Sequence, residues 1–569
     1  MRPKILHSRG TLRPPVVHPK GEHVRIFRKL FPAVALVFIG CTTALQPRSG
    51  GEAISAADLE RRLYAFAADS MMGRLFGAEG DFKGTQYIAN QLASMGVLPG
   101  GENGTYFQTV PAFRVSVASG AQAFLDGAPL AYSTDYITSI PASGRALPLG
   151  DVEVIYGGDL SDSTSLLAPE QTAGKAVLFT IDGPFRGNPN RFTNRYTKAA
   201  AVIAKSNPAA MRPFLVTTVT DTTPVRVNVF VSPTVAERLF EAPSTALKPG
   251  TLGRRLRFTS MTFQRQPAPA RNVVGIIRGR DPAVNGQYVA IGAHPDHVGI
   301  RPGGPLDHDS LRAFHTIAQR IVEARTGITP GSPGSGLTPA ERASIRVNVD
   351  SMRRIRPARP DSVFNGADDD GSGSMAVLEV AESFARASTK PRRSLLFVWH
   401  TGEEGGLRGA RHFSDHPTVP RDSIVAQLNM DMVGRGGAGD ILGGGPDFLQ
   451  LVGSRRLSTE LGDLVEAVNA ASSRPLRFDY SMDANGHPER IYCRSDHVHY
   501  ARYGIPIAFF TTGLHMDYHQ LTDEPQYINY EKMQRIAQLV HDVASRVASL
   551  DHRVVVDKPK PDPAAACVQ

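Results

Sequence analysis

The sequence has little cysteine: only Cys41, Cys493 and Cys567 occur among 569 residues. So few thiols exclude a disulfide-rich scaffold and a zinc site built from several thiolates, and we expect Cys493 and Cys567 to be structural or incidental. The apolar run at residues 30–39 is too short to cross a bilayer. The apolar fraction of 41% and the charged fraction of 21% are typical of a globular protein with a sizeable core.

Positive charge is concentrated at the amino terminus. The formal net charge is +9, and residues 1–40 hold eight basic residues and one acidic residue, so only +2 remains for the rest of the chain. No basic patch interleaved with aromatic side chains follows this segment, and we therefore expect no nucleic-acid partner.

Residues 1–40 resemble a secretory signal peptide. Arg28 and Lys29 precede the apolar run, which ends at Gly40. The sequence Phe-Ile-Gly-Cys also resembles a bacterial lipoprotein box with Cys41 as the lipidated residue, and a plain signal peptide is the alternative. We expect an exported protein that is periplasmic, secreted or an outer-membrane lipoprotein, with membrane contact only through a lipid on Cys41.

The hydrophobic pattern predicts an α/β domain with a β-rich insert. Strands alternate with helices after residue 268, which is typical of a mainly parallel central sheet flanked by helices. We expect this discontinuous domain at 54–115 and 268–552, with the insert at 116–266 and a disordered tail at 553–569. The long insertion at 300–364 is interpreted as a surface excursion, with a flap over the site as the alternative.

Individual elements of the α/β domain are also predicted. We expect strands at 272–277, 287–292, 394–399, 424–430 and 505–510, and helices at 375–386, 406–413 and 530–550.

Five separated fragments carry side chains that bind divalent metals, and each follows a predicted strand directly or closely. They contain His294 and Asp296, Asp369, Glu403 and Glu404, Asp431, and His519. Each fragment alone has an ordinary structural explanation, such as a turn or a helix start. Together they favour a site, because strands of an α/β sheet present functional groups at their carboxyl ends. Imidazole and carboxylate without thiolate favour catalytic zinc over structural zinc.

The adjacent carboxylates Glu403 and Glu404 provide one more acidic group than metal binding needs. Two neighbouring zinc ions require about three protein ligands each and a carboxylate that bridges them. A hydroxide held by such a pair attacks a carbonyl carbon, and a carboxylate that binds no metal acts as the general base.

These motifs resemble those of the co-catalytic zinc aminopeptidases, a family that includes glutamate carboxypeptidases and, as non-enzymatic relatives, transferrin receptors. The resemblance covers 54–115 and 268–550, while 172–179 resembles a protease-associated domain. It implies a zinc exopeptidase fold with two zinc ions per chain. It also implies the following roles: His294 and Asp431 bind one zinc, Glu404 and His519 bind the other, Asp369 bridges them, Glu403 is the general base, Asp296 orients His294, and Tyr518 stabilises the oxyanion.

Neighbouring histidines are excluded as ligands at this point. We expect His297 to be structural or to support a ligand from behind, and we expect His308 and His400 to lie outside the site. His515 and Asp517 are close to His519 in sequence, but a direct role is not expected for either.

The sequence therefore predicts an exported zinc aminopeptidase that hydrolyses the amino-terminal peptide bond of peptide substrates. One alternative is a carboxypeptidase of the glutamate-releasing type, for which arginines within 300–364 would bind the substrate carboxylate. Others are an aminoacyl cyclase of similar fold, whose relatives use one zinc, and a non-catalytic, receptor-like binding protein. The sequence carries no signal for an oligomeric state.

Overall fold

The computed structural model describes residues 54–569 except 163, 165, 182–193, 260 and 332–335. The predicted signal peptide and Cys41 lie outside the described residues. Within the described part, no helix is long and apolar enough to cross a membrane. All described residues belong to one compact unit.

Helices and strands are numbered in chain order. The helices are α1 Ala56–Phe66, α2 Glu79–Ser94, α3 Pro233–Phe240, α4 His308–Thr326, α5 Pro339–Ser344, α6 Val349–Ile355, α7 Gly373–Arg386, α8 Arg408–Asp415, α9 Thr459–Ala470, α10 Val498–Ala501 and α11 Tyr530–Ser549. The strands are β1 Leu98–Pro99, β2 Phe107–Thr109, β3 Ala112–Val117, β4 Ala123–Leu125, β5 Ala128–Leu130, β6 Tyr136–Thr138, β7 Asp151–Asp159, β8 Ala176–Thr180, β9 Ala201–Lys205, β10 Phe214–Thr217, β11 Asn228–Val231, β12 Leu252–Phe258, β13 Phe263–Ala268, β14 Arg271–Ile277, β15 Tyr288–Ala293, β16 Leu306–Asp307, β17 Pro360–Asp361, β18 Ser394–Trp399, β19 Ile424–Met430, β20 Phe448–Val452, β21 Arg477–Asp479 and β22 Ile507–Thr511.

A nine-stranded sheet forms the centre of the α/β domain. Its order is β1-β14-β18-β15-β19-β22-β20-β21, with β2 also paired to β14. The four middle strands, β18, β15, β19 and β22, run parallel, whereas β14 and β20 are antiparallel to their inner neighbours. The prediction of an α/β fold with a mainly parallel sheet is confirmed.

Helices cover both faces of this sheet, because the middle strands bury side chains in both directions. On one face, Val289 and Ile291 pack in a core with helices α1, α2, α7, α9 and α11. On the other face, Ala290 and Leu396 pack in a second core with Phe413 of α8 and Tyr500 of α10. Strands buried on both faces have near-continuous apolar sequences, as β18 and β22 do.

Strands β3 to β13 form two sheets separate from the central sheet. One has eight strands in the order β5-β4-β12-β7-β8-β9-β11-β6, and the other has three in the order β10-β3-β13. The eight-stranded sheet has its own apolar core, which includes Val154, Leu178 and Ile203. These strands extend from Ala112 to Ala268, slightly beyond the insert expected at 116–266.

The 300–364 segment is more structured than a plain surface excursion. It contains α4, α5 and α6, and β16 pairs with β17. Three of its arginines form ion pairs with carboxylates: Arg353 pairs with Asp307, Arg356 with Asp309, and Arg359 with Glu524.

The carboxyl-terminal tail is not disordered, and this expectation is wrong. Residues 553–569 form no regular helix or strand, but the side chains of Val554 and Gln569 are buried. Cys567 forms a disulfide with Cys493, with the two Cα atoms 5.8 Å apart. The Pro- and Lys-rich composition indicated disorder, but a covalent bond to a residue 74 positions earlier holds this segment on the domain.

Candidate metal centre

The carboxyl ends of the middle strands bring the predicted metal-binding residues together. His294 directly follows β15 and Asp431 directly follows β19, while Glu403 and Glu404 lie in the turn after β18. His519 lies in the loop after β22, at a backbone φ of 57°. Because these four strands are adjacent and parallel, their carboxyl ends meet at one edge of the sheet.

The first group of metal-binding atoms consists of His294, Asp369 and Asp431. His294 Nε2 is 3.3 Å from Asp369 Oδ1 and 3.7 Å from Asp431 Oδ1. The other carboxylate oxygen of Asp431 accepts a hydrogen bond of 2.7 Å from the Ser495 hydroxyl. The side-chain amide of Asn429 donates to the same hydroxyl oxygen at 2.9 Å, so Ser495 fixes the orientation of Asp431.

The second group consists of Asp369, Glu404, His519 and also His297. His519 Nε2 is 2.9 Å from both Asp369 Oδ2 and Glu404 Oε2. His297 Nδ1 is 2.9 Å from Glu404 Oε1 and 3.6 Å from Asp369 Oδ2. We expected His297 to be structural or to support a ligand from behind, whereas the structure places its ring among the atoms of the second group.

Asp369 lies between the two groups, with one carboxylate oxygen facing each. Buried carboxylates hold the backbone around Asp369. Asp523 accepts hydrogen bonds from the backbone N–H groups of Asp368 and Asp369. Asp370 accepts from the backbone N–H groups of His294 and Met432 at 3.0 and 3.1 Å. The sequence pattern predicts no role for these acids, although the run of three aspartates at 368–370 and Asp523 near His519 are visible in it.

Asp296 contacts His294 differently from the expectation. His294 Nδ1 is 3.1 Å from the backbone oxygen of Asp296 and 3.7 Å from its carboxylate. The carboxylate instead accepts hydrogen bonds of 2.8 and 3.1 Å from the backbone N–H groups of Gly402 and Glu403. Asp296 thus orients the imidazole mainly through its backbone and holds the Glu403 turn through its side chain.

Glu403 lies beside the two groups without belonging to either, within the described residues. Its nearest carboxylate oxygen is 4.0 Å from His294 Nε2. Burial raises the pKa of Glu403 well above its usual value, and the neighbouring carboxylates of Glu404 and Asp431 raise it further. A carboxylate with a raised pKa, free of metal-ligand contacts, is suited to accept a proton during a reaction.

A cavity next to this cluster has about 410 Å³ of empty space, part of which is open to solvent. Asp369, Glu403 and Asp431 form its polar floor, and Arg494, Ser495 and Tyr518 also line it. The remaining wall is largely apolar and contains Met432, Met482, Ile491, Phe509 and Leu514. The Tyr518 ring stacks on the His519 ring, with 3.9 Å between centroids. Arg494 donates a hydrogen bond of 3.3 Å to the Tyr518 hydroxyl.

Four other candidates lie outside both groups of metal-binding atoms. His400 is 2.8 Å from the Tyr500 hydroxyl, and His308 is next to Asp309. His515 is 3.0 Å from Asp368, whereas Asp517 pairs with the buried guanidinium of Arg435 at 3.0 Å.

The chemistry of the cluster fits divalent metal ions. Four buried atoms of the second group form no hydrogen bond within the described chain, namely His297 Nδ1, Asp369 Oδ2, Glu404 Oε1 and His519 Nε2. Buried polar atoms without partners are costly, and converging lone pairs from imidazole and carboxylate groups are what zinc binds.

Comparison with known proteins supports this interpretation. Residues 349–544 match the sequence model of Peptidase family M28. The chain is 26% identical over 265 residues to leucine aminopeptidase 1 of Aspergillus oryzae, covering 44% of this chain and 62% of that protein. It is 43% identical over 77 residues to leupeptin-inactivating enzyme 1 of Streptomyces exfoliatus, covering 13% and 18%. The chain therefore spans less than two thirds of the length of these curated relatives.

A solved structure has the same fold. The zinc aminopeptidase from Bacillus subtilis superimposes with a TM-score of 0.51 and 16% sequence identity, covering 87% of this chain and 95% of that one. At this identity the likeness shows the fold alone.

Proposed function

We propose that this chain, whose residues 349–544 match the model of Peptidase family M28, is an exported zinc aminopeptidase. The observation that carries the proposal is the meeting of five predicted ligands, His294, Asp369, Glu404, Asp431 and His519, at one edge of the sheet with Glu403 left free beside them. The reaction is hydrolysis of the first peptide bond of a peptide with a free amino terminus.

Two zinc ions per chain fit the two groups of atoms. One would be held by His294 and Asp431, the other by Glu404 and His519, with Asp369 contributing one oxygen to each. When bound, zinc polarises the substrate carbonyl and lowers the pKa of water, so that hydrolysis proceeds near neutral pH.

In the proposed reaction, Glu403 transfers a proton and Tyr518 stabilises the negative charge that develops on the substrate oxygen. Glu403 accepts a proton from the attacking water and then donates it to the leaving amine. The Tyr518 hydroxyl lines the same cavity and donates a hydrogen bond to the oxygen on which negative charge develops. Asp296 keeps Glu403 in place through the two backbone hydrogen bonds of its turn.

The cavity favours an aminopeptidase over a carboxypeptidase. Glu403 and Asp431 at its floor attract the positively charged amino terminus of a substrate, and the apolar wall fits an apolar first side chain. A carboxypeptidase needs a free cation for the substrate carboxylate. Arg494 is the arginine that lines this cavity, and it is paired with Glu489 at 3.0 Å. Arg353, Arg356 and Arg359 of the 300–364 segment are also paired with carboxylates, and none of these three lines the cavity.

Export is supported by the disulfide between Cys493 and Cys567. Disulfides persist in oxidising compartments outside the cytosol and are rare in the cytosol. An oxidising compartment agrees with the resemblance of residues 1–40 to a signal peptide. Lipidation of Cys41 after export is part of the proposal.

The function is tested with short peptides of leucine and alanine blocked at one end. We expect the zinc-loaded chain to release leucine from a carboxyl-amidated peptide and not from an amino-acetylated one, and to lose activity on chelation. Cleavage only of the acetylated peptide would indicate a carboxypeptidase. Bound zinc without cleavage of either peptide would overturn the enzyme proposal.

A further inference from the structure

We propose that His297 is a direct metal ligand, so that the second metal position has two histidines and the first has one. The first position is defined by His294, Asp369 and Asp431, and the second by His297, Asp369, Glu404 and His519. The inference rests on the proposed function, because it concerns the zinc ions of that site. It adds a ligand that the family resemblance does not imply.

The distances around His297 are those of a shared ion. Zinc bonds of about 2.0–2.1 Å in tetrahedral geometry place ligand atoms about 3.3 Å apart. His297 Nδ1 lies 2.9 Å from Glu404 Oε1 and 3.6 Å from Asp369 Oδ2, and the corresponding contacts of His519 are 2.9 Å. The two imidazole rings are 5.6 Å apart and inclined at 72°, so they approach the point between them from different sides.

A simple hydrogen bond from His297 to Glu404 does not explain this arrangement. Nδ1 and Oε1 are 2.9 Å apart, but both atoms are buried and neither forms a hydrogen bond within the described residues. A lone pair directed at a cation between the two atoms satisfies both of them.

The fold holds the His297 ring in this position. Its backbone N–H donates to the oxygen of Arg74 at 3.0 Å, and the buried guanidinium of Arg74 donates to the backbone oxygen of Pro295 at 2.8 Å. Gly366 packs against the ring, where a Cβ atom would come within 2.4 Å of it. A side chain whose backbone is held by a hydrogen bond and whose ring is packed against a neighbour loses little entropy when it binds an ion.

The two positions are therefore unequal. The second position has four protein side chains, enough for a tetrahedral zinc shell, whereas the first has three and keeps a coordination site open. We expect the second position to bind zinc more tightly and to retain it longer against a chelator.

Zinc titration of the metal-free full chain tests this ligand, with free zinc set by a competing chelator. Wild type is expected to bind two ions per chain. In His297→Gln one of the two affinities should fall by more than about 100-fold, since even loss of an outer partner costs about 10–100-fold. His308→Gln is the matched control, because His308 is equally buried beside carboxylates but lies outside both groups. Two unchanged affinities in His297→Gln would overturn the proposal.

A measurement on wild type covers the case in which His297→Gln does not fold. With cobalt(II) at both positions, each coordinated histidine gives one strongly shifted, solvent-exchangeable ring N–H resonance in proton NMR. We expect three such resonances, from His294, His297 and His519. Two resonances would show that His297 is not a ligand. A chain that binds two ions and shows three resonances but cleaves no peptide would contradict only the proposed function.

Discussion

Glu403 and Glu404 are adjacent in sequence, yet their environments separate their roles. Glu404 faces His297 and His519 in the second position, whereas Glu403 faces the cavity and belongs to neither position within the described residues. Burial and nearby carboxylates raise the pKa of Glu403, which keeps its proton affinity high enough for transfer. The different roles of Glu403 and Glu404 therefore depend on the directions in which their side chains project from the same turn.

Replacing Glu403 by glutamine should abolish proton transfer while leaving the metal site intact. We expect kcat to fall by at least about 100-fold, the lower end of what general-base catalysis contributes. The zinc content of the variant should match wild type, measured by elemental analysis of the same samples.

The control for this substitution is Glu489→Gln. Glu489 pairs with Arg494 at 3.0 Å near the cavity but does not line it. Its loss should change kcat by only a few-fold. Retention of more than a tenth of wild-type activity by Glu403→Gln would remove this residue from the base role.

At the scale of elements, the region before α10 carries a buried histidine with a structural role. The ring of His497 stacks on Phe509 at 4.6 Å, and its Nε2–H donates a hydrogen bond of 2.8 Å to the oxygen of Tyr492. Burial lowers the pKa of His497 from 6.5 to about 3. The folded protein therefore keeps this ring neutral at a pH where the unfolded chain protonates it.

This lowered pKa predicts a specific loss of stability in acid. The contribution of the neutral ring is fully present above pH 6.5 and is lost as pH falls from 6.5 towards 3, because the unfolded state then binds the proton. Between pH 7 and pH 5, the advantage of wild type over His497→Asn in free energy of unfolding should shrink by about 2 kcal/mol. Urea unfolding of both proteins at the two pH values measures this, and a difference independent of pH would contradict it.

The strands and helices near the site could be predicted well from their sequence patterns. The strand expected at 394–399 is observed at Ser394–Trp399, and the helix expected at 375–386 is observed at Gly373–Arg386. Each has a continuous apolar segment or a 3.6-residue period, which burial on a sheet enforces. The antiparallel directions of β14 and β20 were not predicted, because strand direction depends on the path of the connections and not on the strand sequence.

At the scale of the whole molecule, one disulfide connects the tail to the wall of the site. Cys493 lies two residues after Ile491, which lines the cavity, and Cys567 lies two residues before Gln569. The bond closes a segment with a separation of 74 residues. A loop of this length restricts the unfolded chain strongly, which corresponds to a stabilisation of about 2–4 kcal/mol.

Removing this bond should release the tail and lower stability. In Cys493→Ala/Cys567→Ala we expect the free energy of unfolding to fall by about 2–4 kcal/mol. Limited proteolysis followed by mass spectrometry should detect cleavage within 551–568 in the variant and not in oxidised wild type. Equal resistance of the two proteins would show that noncovalent contacts alone hold the tail.

The sequence by itself determined the type of fold, the insert and the residues that meet at the sheet edge. These features are local, since hydrophobic period, strand ends and motif residues are visible in short segments. Only the tertiary structure decided that Cys493 and Cys567 pair, that Asp296 holds the Glu403 turn, and that His297 faces the cluster while His308 does not. Each of these features depends on distances between segments that are far apart in sequence. Packing of the whole chain sets those distances, and no single segment carries a periodic pattern that would reveal them.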